Sequence, residues 1–210
     1  MPRPDPAYDI QSPEALQALF DPVVPAALMK ELDHLSAGYQ ALIRASPFFA
    51  LATAGPDGLD CSPRGDPRGF VEVLDAHTLV LPERRGNNRI DSLRNLLEDP
   101  RVALLFLVPG VGETLRVNGR ARLSTDPALL ARHAVNGRPP KLVLVVEVQR
   151  AFFQCSRAVV RADLWNPAKH VPRSELPSTG ALIAEAGRSA DFDAQAYDAG
   201  LLERVRGTLY

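Results

Sequence analysis

A series of short apolar runs, most of them separated by turn residues, occupies the middle of the chain. "FFALATAG" ends in "PDG" and is followed by "LDCSPRGD", a pattern typical of a β-hairpin. "GFVEVLD" and "TLVLP" flank "AH" and predict a second pair of strands. "RVALLFLVPG", "ETLRVNGRARLS" and "KLVLVVEVQRAFFQC" are further runs rich in Val, Leu and Phe. These runs predict roughly six strands around one short helix, and therefore a mainly β fold.

Short turns between the strands favour an antiparallel sheet, and runs such as "ALLFLV" and "LVLVV" indicate that both of its faces are covered. A small closed or partly closed β-barrel meets both conditions. Helices do not alternate regularly with the strands, which argues against a Rossmann fold. The glycine-containing stretches "GPDG", "PGVG" and "RRGNN" also lack the spacing of known phosphate-binding loops.

The two ends of the chain look helical. Ser12 is a good N-cap for a helix that begins at Pro13, and Pro22 and Pro25 interrupt the apolar pattern. The pattern then restarts, and six residues share one helical face: Leu28, Leu32, Leu35, Tyr39, Leu42 and Ile43.

The C-terminal residues have helical composition but weak periodicity, so we interpret them as an arm that packs on the barrel or on a partner subunit. We expect one domain over residues 1–210, with a helical preface at 1–47, the barrel at 48–163 and the arm at 164–210.

Composition excludes several classes of function. The net charge is −1, with 46% hydrophobic and 23% charged residues, so nothing draws the whole chain to nucleic acid or to an anionic membrane. No apolar run suits a spanning helix or a signal peptide, and we expect a cytoplasmic protein. Cys61 and Cys155 lie far apart, and the four histidines are scattered, so reduced thiols and no metal site are expected.

The stretch "PERRGNNRIDSLRNLLEDP" combines basic and amide residues with a helix. Asn87 or Asn88 is the expected N-cap, and Asp99 before Pro100 marks the end of the helix. The helix is expected to pack by a face made of Ile90, Leu93, Leu96 and Leu97.

The start of this helix is a candidate anion site. Its unpaired backbone N–H groups favour an anion, and Arg84, Arg85 and Arg89 supply charges that match phosphate oxygens. Gly86 allows the backbone to approach a ligand closely. A capped helix with solvated arginines would use the same residues, so both interpretations stay open here.

Two other strand segments carry polar clusters. "CSPRGDPRG" places Ser62, Arg64 and Asp66 near the end of a strand. Arg64 is either a second phosphate clamp or the partner of Asp66 in an ion pair at a turn. "ETLRVNG" places Thr114, Arg116 and Asn118 on one side of a strand. This polar side is either the wall of a ligand site or a surface that faces solvent or the rim of a subunit interface.

The single tryptophan of the chain is Trp165. It could stack on a flat ring or anchor the C-terminal arm by apolar contact.

Taken together, "SPRGD" and the region from "LVLPERRGNNR" to "PGVGETLRVNGRA" resemble the pyridoxamine 5′-phosphate oxidase-like FMN-binding split-barrel proteins, in particular a bacterial branch that carries this pattern. The resemblance is close over Phe48 to Trp165. It implies a six-stranded antiparallel split β-barrel and a homodimer, with one FMN in each of two clefts at the subunit interface.

The resemblance also implies roles for individual residues. Ser62, Arg64 and Asp66 would line the flavin. The FMN phosphate would be held by Arg84, Asn87, Asn88 and Arg89. Thr114 and Arg116 would come from the neighbouring subunit, and Trp165 is similar in place to an aromatic residue near the flavin ring.

The chain departs from the true pyridoxamine phosphate oxidases. Its strand reads "CSPRGDPRGF" in place of their basic motif. After Trp165, "NPAKHVPRS" is only a faint match to their C-terminal arginine and histidine segment. No side chain stands out as an acid, base or nucleophile, as in enzymes whose flavin carries the chemistry. The leading hypothesis is an FMN-dependent oxidoreductase acting on a small molecule. The alternatives are a non-catalytic binder of flavin, haem or deazaflavin, and a purely structural dimer.

Overall fold

The computed structural model describes residues 3–187 and 192–210. Its contacts form two compact units, residues 1–31 and residues 32–210. The first unit contains two one-turn helices, α1 at Pro13–Gln17 and α2 at Pro25–Met29. The hydroxyl of Ser12 accepts a hydrogen bond from the Ala15 N–H at 3.1 Å, which confirms the predicted N-cap. The boundaries proposed at residues 47 and 163 stay predictions.

The prediction that one helical pattern runs from Leu28 through Ile43 is wrong. The N–H and C=O of Leu32 instead exchange hydrogen bonds with Ala151, at 2.9 and 2.7 Å. A new helix, α3 at Ala37–Ala45, begins after Ser36, whose hydroxyl accepts from the Tyr39 N–H. Because the backbone at residue 32 pairs with a strand, it cannot also make helical hydrogen bonds.

The main element of the second unit is one sheet of seven strands in the order β2-β1-β5-β6-β7-β4-β3, and every neighbouring pair is antiparallel. The strands are β1 Phe48–Gly55, β2 Gly58–Gly65, β3 Glu72–Val73, β4 Thr78–Pro82, β5 Arg101–Leu107, β6 Thr114–Ser124 and β7 Val143–Gln154. The mainly β, antiparallel prediction is confirmed. The sheet has seven strands rather than six, because the two-residue strand β3 extends its edge beside β4.

A β-bulge lies in the longest strand pair. The register between β6 and β7 shifts between Asn118 and Gly119. A Cβ atom on Gly119 would clash with the carbonyl oxygen of Glu147, so the two backbones approach here more closely than a larger residue allows.

Both faces of the sheet carry apolar contacts. The larger cluster includes fully buried Phe49, Leu51 and Phe106, and the helix α4, at Asp91–Glu98, adds Leu93 and Leu96 to it. A smaller cluster on β4 and β7 consists of Val80, Val143 and Val145, against which Leu129 and Leu130 pack. These two leucines belong to α5, at Pro127–Arg132. The apolar runs in the sequence reflect this cover on both faces.

Among the residues that the structure describes, four α-helices follow the sheet, at Arg157–Ala162 (α6), Thr179–Gly187 (α7), Ala194–Ala199 (α8) and Leu201–Gly207 (α9). The Asp198 carboxylate accepts a hydrogen bond from the Gly180 N–H at 2.7 Å and so ties α8 to α7. Across the residues that the structure describes, every helix is too short or too polar to cross a lipid bilayer.

Candidate functional site

A chain of polar contacts connects strand β2 with the start of α4. Ser62 and Ser92 lie with their hydroxyl oxygens 2.9 Å apart, and Ser92 donates a hydrogen bond to the Asp60 carboxylate at 2.6 Å. The guanidinium of Arg64 donates to the Ser62 hydroxyl at 2.9 Å. Residues 60, 62 and 64 share one face of β2 because strand side chains alternate, and α4 covers that face. We call these residues and Ser92 the β2–α4 polar network.

Glu83 extends the network to the end of β4. Its carboxylate lies 3.4 Å from the Arg64 guanidinium, and one of its oxygens is buried without a hydrogen-bond partner among the described residues. Burial raises the pKa of Glu83 above its usual value of 4.5, and the neighbouring Arg64 partly opposes that increase. The pair therefore places one positive and one negative charge in a half-buried position beside Ser62.

Asp66 and Arg84 form a second polar group. Their side chains are 2.5 Å apart at closest approach, and Asp66 is almost completely buried, with 3% of its side chain exposed. Arg84 also donates to the His133 carbonyl at 2.8 Å, and the Tyr210 hydroxyl donates to Asp66 at 2.6 Å. That hydrogen bond raises the pKa of Tyr210 above 10.0. The charge of Arg84 is thus already balanced by a carboxylate.

The loop that carries the predicted phosphate ligands is exposed over residues 85–90. The Asn87 side chain accepts a hydrogen bond from the Arg89 N–H at 3.0 Å, and Asn88 has a left-handed backbone with φ = 59°. Arg89 donates to Asp91 at 2.7 Å. This hydrogen bond is the main cause of the raised pKa of Arg89. The charge of the Asp60 carboxylate raises that pKa further. Arg89 is therefore within electrostatic range of the β2–α4 polar network.

The predicted N-cap of α4 is wrong. The cap position is occupied by Ile90, which also has a left-handed backbone, with φ = 55°, and makes no side-chain capping bond. Asn87 and Asn88 instead shape the preceding loop, in which Asn tolerates the left-handed conformation better than most residues. The predicted end of the helix is confirmed, because α4 ends at Glu98 and Asp99 is its C-cap.

The predicted apolar face of α4 is only half right. Leu93 and Leu96 are buried, but Leu97 is 73% exposed and Ile90 is 47% exposed. Ser92 is buried in their place, because its hydroxyl meets Asp60 and Ser62. The buried side of the helix is thus partly polar, a feature that leucine spacing alone does not predict.

Strand β6 shows the predicted separation of its two sides. Leu115 and Val117 are buried, whereas Thr114, Arg116 and Asn118 are only partly covered. The Arg116 guanidinium lies over the Phe152 ring, 4.4 Å from its centre. The Nε atom of Arg116 and the Oδ1 atom of Asn118 are buried and make no hydrogen bond within the described part of the chain. A buried polar atom needs a hydrogen-bond partner, so these two atoms call for water or for another molecule.

The indole of Trp165 donates a hydrogen bond to the Val111 carbonyl at 2.8 Å. Val111 lies in the turn just before β6, so Trp165 fixes that turn to the segment that follows α6.

The structure therefore brings together some of the predicted site residues. Ser62 accepts a hydrogen bond from Arg64, and Asp66 accepts one from Arg84. The charge of the Asp60 carboxylate contributes to the raised pKa of Arg89. Within residues 3–187 and 192–210, no hydrogen bond or ion pair connects Thr114, Arg116 or Trp165 to either group. Their predicted roles stay predictions.

Several polar residues of the site were not predicted from the sequence. Asp60 alternates with Ser62 and Arg64 on β2, so strand periodicity could have identified it. Ser92 and His133 had no such signal, because each lies far in sequence from the group that it contacts. Glu83 adjoins Arg84 within the predicted stretch, but nothing in the sequence indicated its contact with Arg64.

Residues 35–155 match the family model described as pyridoxamine 5′-phosphate oxidase. No curated protein is significantly similar to the chain in sequence.

Similar solved structures include HupZ of Group A Streptococcus, at 21% identity and a TM-score of 0.46, covering 58% of this chain and 94% of that one. A Lactobacillus delbrueckii protein provisionally named a pyridoxamine 5′-phosphate oxidase has 24% identity and a TM-score of 0.46, covering 59% and 99%. An FMN-binding protein of Syntrophomonas wolfei has 14% identity and a TM-score of 0.39, covering 61% and 90%.

The family model spans more than half of the chain and contains the whole sheet, the β2–α4 polar network, and helix α4. On the strength of that match, the protein belongs to the pyridoxamine 5′-phosphate oxidase family.

Proposed function

We propose that the protein is an FMN-binding flavoprotein and an oxidoreductase that acts on a small organic molecule. The observation that carries this proposal is the β2–α4 polar network, with the loop of residues 85–90 beside it. Ser62, Arg64 and Arg89 provide a hydroxyl and two guanidinium groups close to the start of α4. Such donors suit a phosphate group.

The residues present fit FMN with two revisions to the predicted ligand set, which concern Arg64 and Arg84. Asn87, Asn88 and Arg89 are exposed and, with Arg64, would hold the phosphate. Arg84 is bound to the buried Asp66, so its proposed role is to hold the "SPRGD" segment in place beside the flavin. Bound FMN would supply the hydride chemistry that no amino-acid side chain provides.

We further propose a homodimer with the cofactor between its subunits. The unpartnered buried atoms of Arg116 and Asn118 support this arrangement, because a partner molecule or ligand would satisfy them. Thr114 and Arg116 would then approach the flavin that is bound by the other subunit. The exposed, unpaired thiols of Cys61 and Cys155 support a reducing, cytoplasmic location.

The cofactor prediction is tested by the visible absorption of the purified protein and by FMN titration. We expect bound or bindable FMN in the wild type. A double variant, Asn88→Gly with Arg89→Gln, should bind FMN at least about tenfold more weakly, since it loses a charge-assisted contact. Glycine keeps the left-handed backbone at residue 88, so the loss reports on the side chains.

Arg94→Gln is the matched control, because Arg94 lies on the exposed side of α4 and should leave FMN affinity unchanged. A colourless wild type that ignores added FMN contradicts the proposal. Anaerobic reduction by NADH or NADPH, followed by a screen of acceptors, tests turnover. Flavin that binds but never turns over identifies a flavin carrier instead of an enzyme.

Subunit mixing tests the shared site. Asn88→Gly/Arg89→Gln and Arg116→Gln should each impair both sites of a homodimer. A heterodimer of the two variants would contain one site with both defects and one intact site. We therefore expect the isolated heterodimer to have about half of the FMN-binding capacity of the wild type, measured by titration. If each subunit formed its whole site alone, mixing would restore nothing.

A further inference from the structure

A cleft of about 510 Å3 lies beside the Asp66–Arg84 pair. It is formed by the C-terminal end of α3, strand β3 with the residues before it, and the end of α5. We call it the α5 cleft. Its polar lining consists of Arg44, Glu72, Arg84, Arg132 and His133. Its size is that of a small-molecule site.

The charges that line the α5 cleft are mostly positive. Arg44, Arg84 and Arg132 contribute three guanidinium groups, and Glu72 contributes the one carboxylate of the lining. Arg132 forms an ion pair with Glu72 but remains half exposed. Arg44 is exposed, and its guanidinium donates a hydrogen bond to the neutral Gln40. The cleft therefore keeps an excess of positive charge even with Asp66 paired to Arg84.

The inner end of the cleft contains polar atoms without hydrogen bonds. The His133 side chain is 8% exposed, and its Nε2 atom lies 3.2 Å from a carboxylate oxygen of Glu72. Neither atom makes a hydrogen bond of acceptable geometry within the described residues. A buried imidazole in this state is available to a ligand that enters the cleft.

The remaining walls are apolar. Val71 is 1% exposed, and Phe70 stacks on Phe49 with 5.8 Å between the ring centres. Val73 and Ala134 add aliphatic surface. A ligand that fills the cleft needs a compact apolar body as well as a charged group.

We propose that the α5 cleft binds a small organic monoanion, a carboxylate attached to a compact apolar or aromatic body. Arg132 and Arg44 bind the carboxylate, His133 contacts its polar end, and the apolar walls hold the rest. A phosphate dianion fits less well because Glu72 and Asp66 would repel its second charge. None of the phosphate ligands proposed for FMN lines the cleft. The cleft therefore shares no ligand with the proposed FMN phosphate site, and its test does not depend on FMN.

The test is calorimetric titration of the purified full-length protein with benzoate and hexanoate, and with the neutral analogue benzamide. The carboxylates should bind, and benzamide should bind at least about tenfold more weakly. Arg132→Gln should weaken benzoate binding by about tenfold, through the loss of one charge-assisted contact. Glu72→Gln should strengthen it, because the substitution removes the repelling carboxylate and releases Arg132.

Arg138→Gln is the control, since Arg138 is exposed in the turn after α5 and does not line the cleft. If Arg132→Gln does not fold, as judged by thermal unfolding, Arg44→Gln replaces it with the same expected direction. The proposal is overturned if neither carboxylate binds, if benzamide binds as well as benzoate, or if the arginine variants bind benzoate like the wild type. FMN titration of the same variants separates this outcome from the fate of the cofactor proposal.

Discussion

At the scale of single residues, the partner of a charged side chain decides what that side chain can bind. Arg84 and Arg89 both belong to the basic stretch, yet Arg84 is bound to the buried Asp66 and Arg89 pairs with the partly exposed Asp91. An exposed ion pair is weak and exchanges readily with a ligand, whereas breaking a buried pair is costly. Arg89 is therefore the better candidate to contact a phosphate.

Ile90 is the clearest strained residue. A β-branched side chain in the left-handed region is unfavourable by roughly 1–2 kcal/mol, and Ile90 is also half exposed. Ile90→Gly should therefore raise the free energy of unfolding by about 0.5–1 kcal/mol in urea denaturation. Leu97→Gly, at an exposed position inside α4, should instead lower the free energy of unfolding by about 1 kcal/mol. Equal effects at the two positions would contradict the strain.

Sequence reasoning could not have predicted this strain. It correctly identified a helix after the basic stretch, and it assigned the cap to an asparagine because asparagines are good caps. The observed conformation at Ile90 depends on how the loop returns to the sheet, which no local propensity specifies.

At the scale of elements, α4 connects the core to the candidate site. Leu93 and Leu96 hold one side of it against the sheet, and Ser92 holds its first turn to β2. The helix can thus position the loop of residues 85–90 only if its leucines remain packed.

Leu96 and Leu97 are adjacent residues with opposite environments, 5% and 73% exposed. Leu96→Ala should lower the free energy of unfolding by about 2–4 kcal/mol, since it leaves a cavity. Leu97→Ala should change it by less than about 0.5 kcal/mol. Chemical denaturation of the two variants checks this. A similar cost for both would show that Leu97 is covered in solution, as it would be at a subunit interface.

The sequence predicted the strands well because their periodicity of two, turn residues and β-branched content are local signals. It did not predict how polar side chains meet across elements. Ser92 contacts Ser62, which lies 30 positions away in the sequence, and Glu72 contacts His133, which lies 61 positions away. Such pairings exist only once the sheet has formed.

At the scale of the whole molecule, His133 links stability to pH. Burial lowers its pKa below the usual value of 6.5, helped by the charges of Arg84 and Arg132, while the Glu72 carboxylate lies 3.2 Å away. The folded protein therefore favours neutral His133. This contribution to stability is present above about pH 6.5 and is lost as the pH falls through the folded pKa.

We expect the free energy of unfolding to fall between about pH 7 and pH 5, and to fall less in His133→Gln than in the wild type. His170→Gln, in an exposed segment, should behave like the wild type. The raised pKa of Glu83 makes the free energy of unfolding increase as the pH falls towards 4.5. This effect is common to all three proteins, so it cancels when the slopes of their curves are compared. Parallel curves for wild type and His133→Gln would refute the assignment.

The order of the strands in the sheet also governs how the chain can fold as it is synthesised. β4 pairs with residues 143–147 of β7, so the short hairpin of β3 and β4 has an unpaired edge until residue 147 has left the ribosome. At ordinary rates of translation, the 65 residues from 82 to 147 take roughly 3–13 s. During that time the apolar edge of β4, which carries Leu79, Val80 and Leu81, is open to incorrect pairing. Nascent chains stalled before β7 should therefore be the species that molecular chaperones recognise.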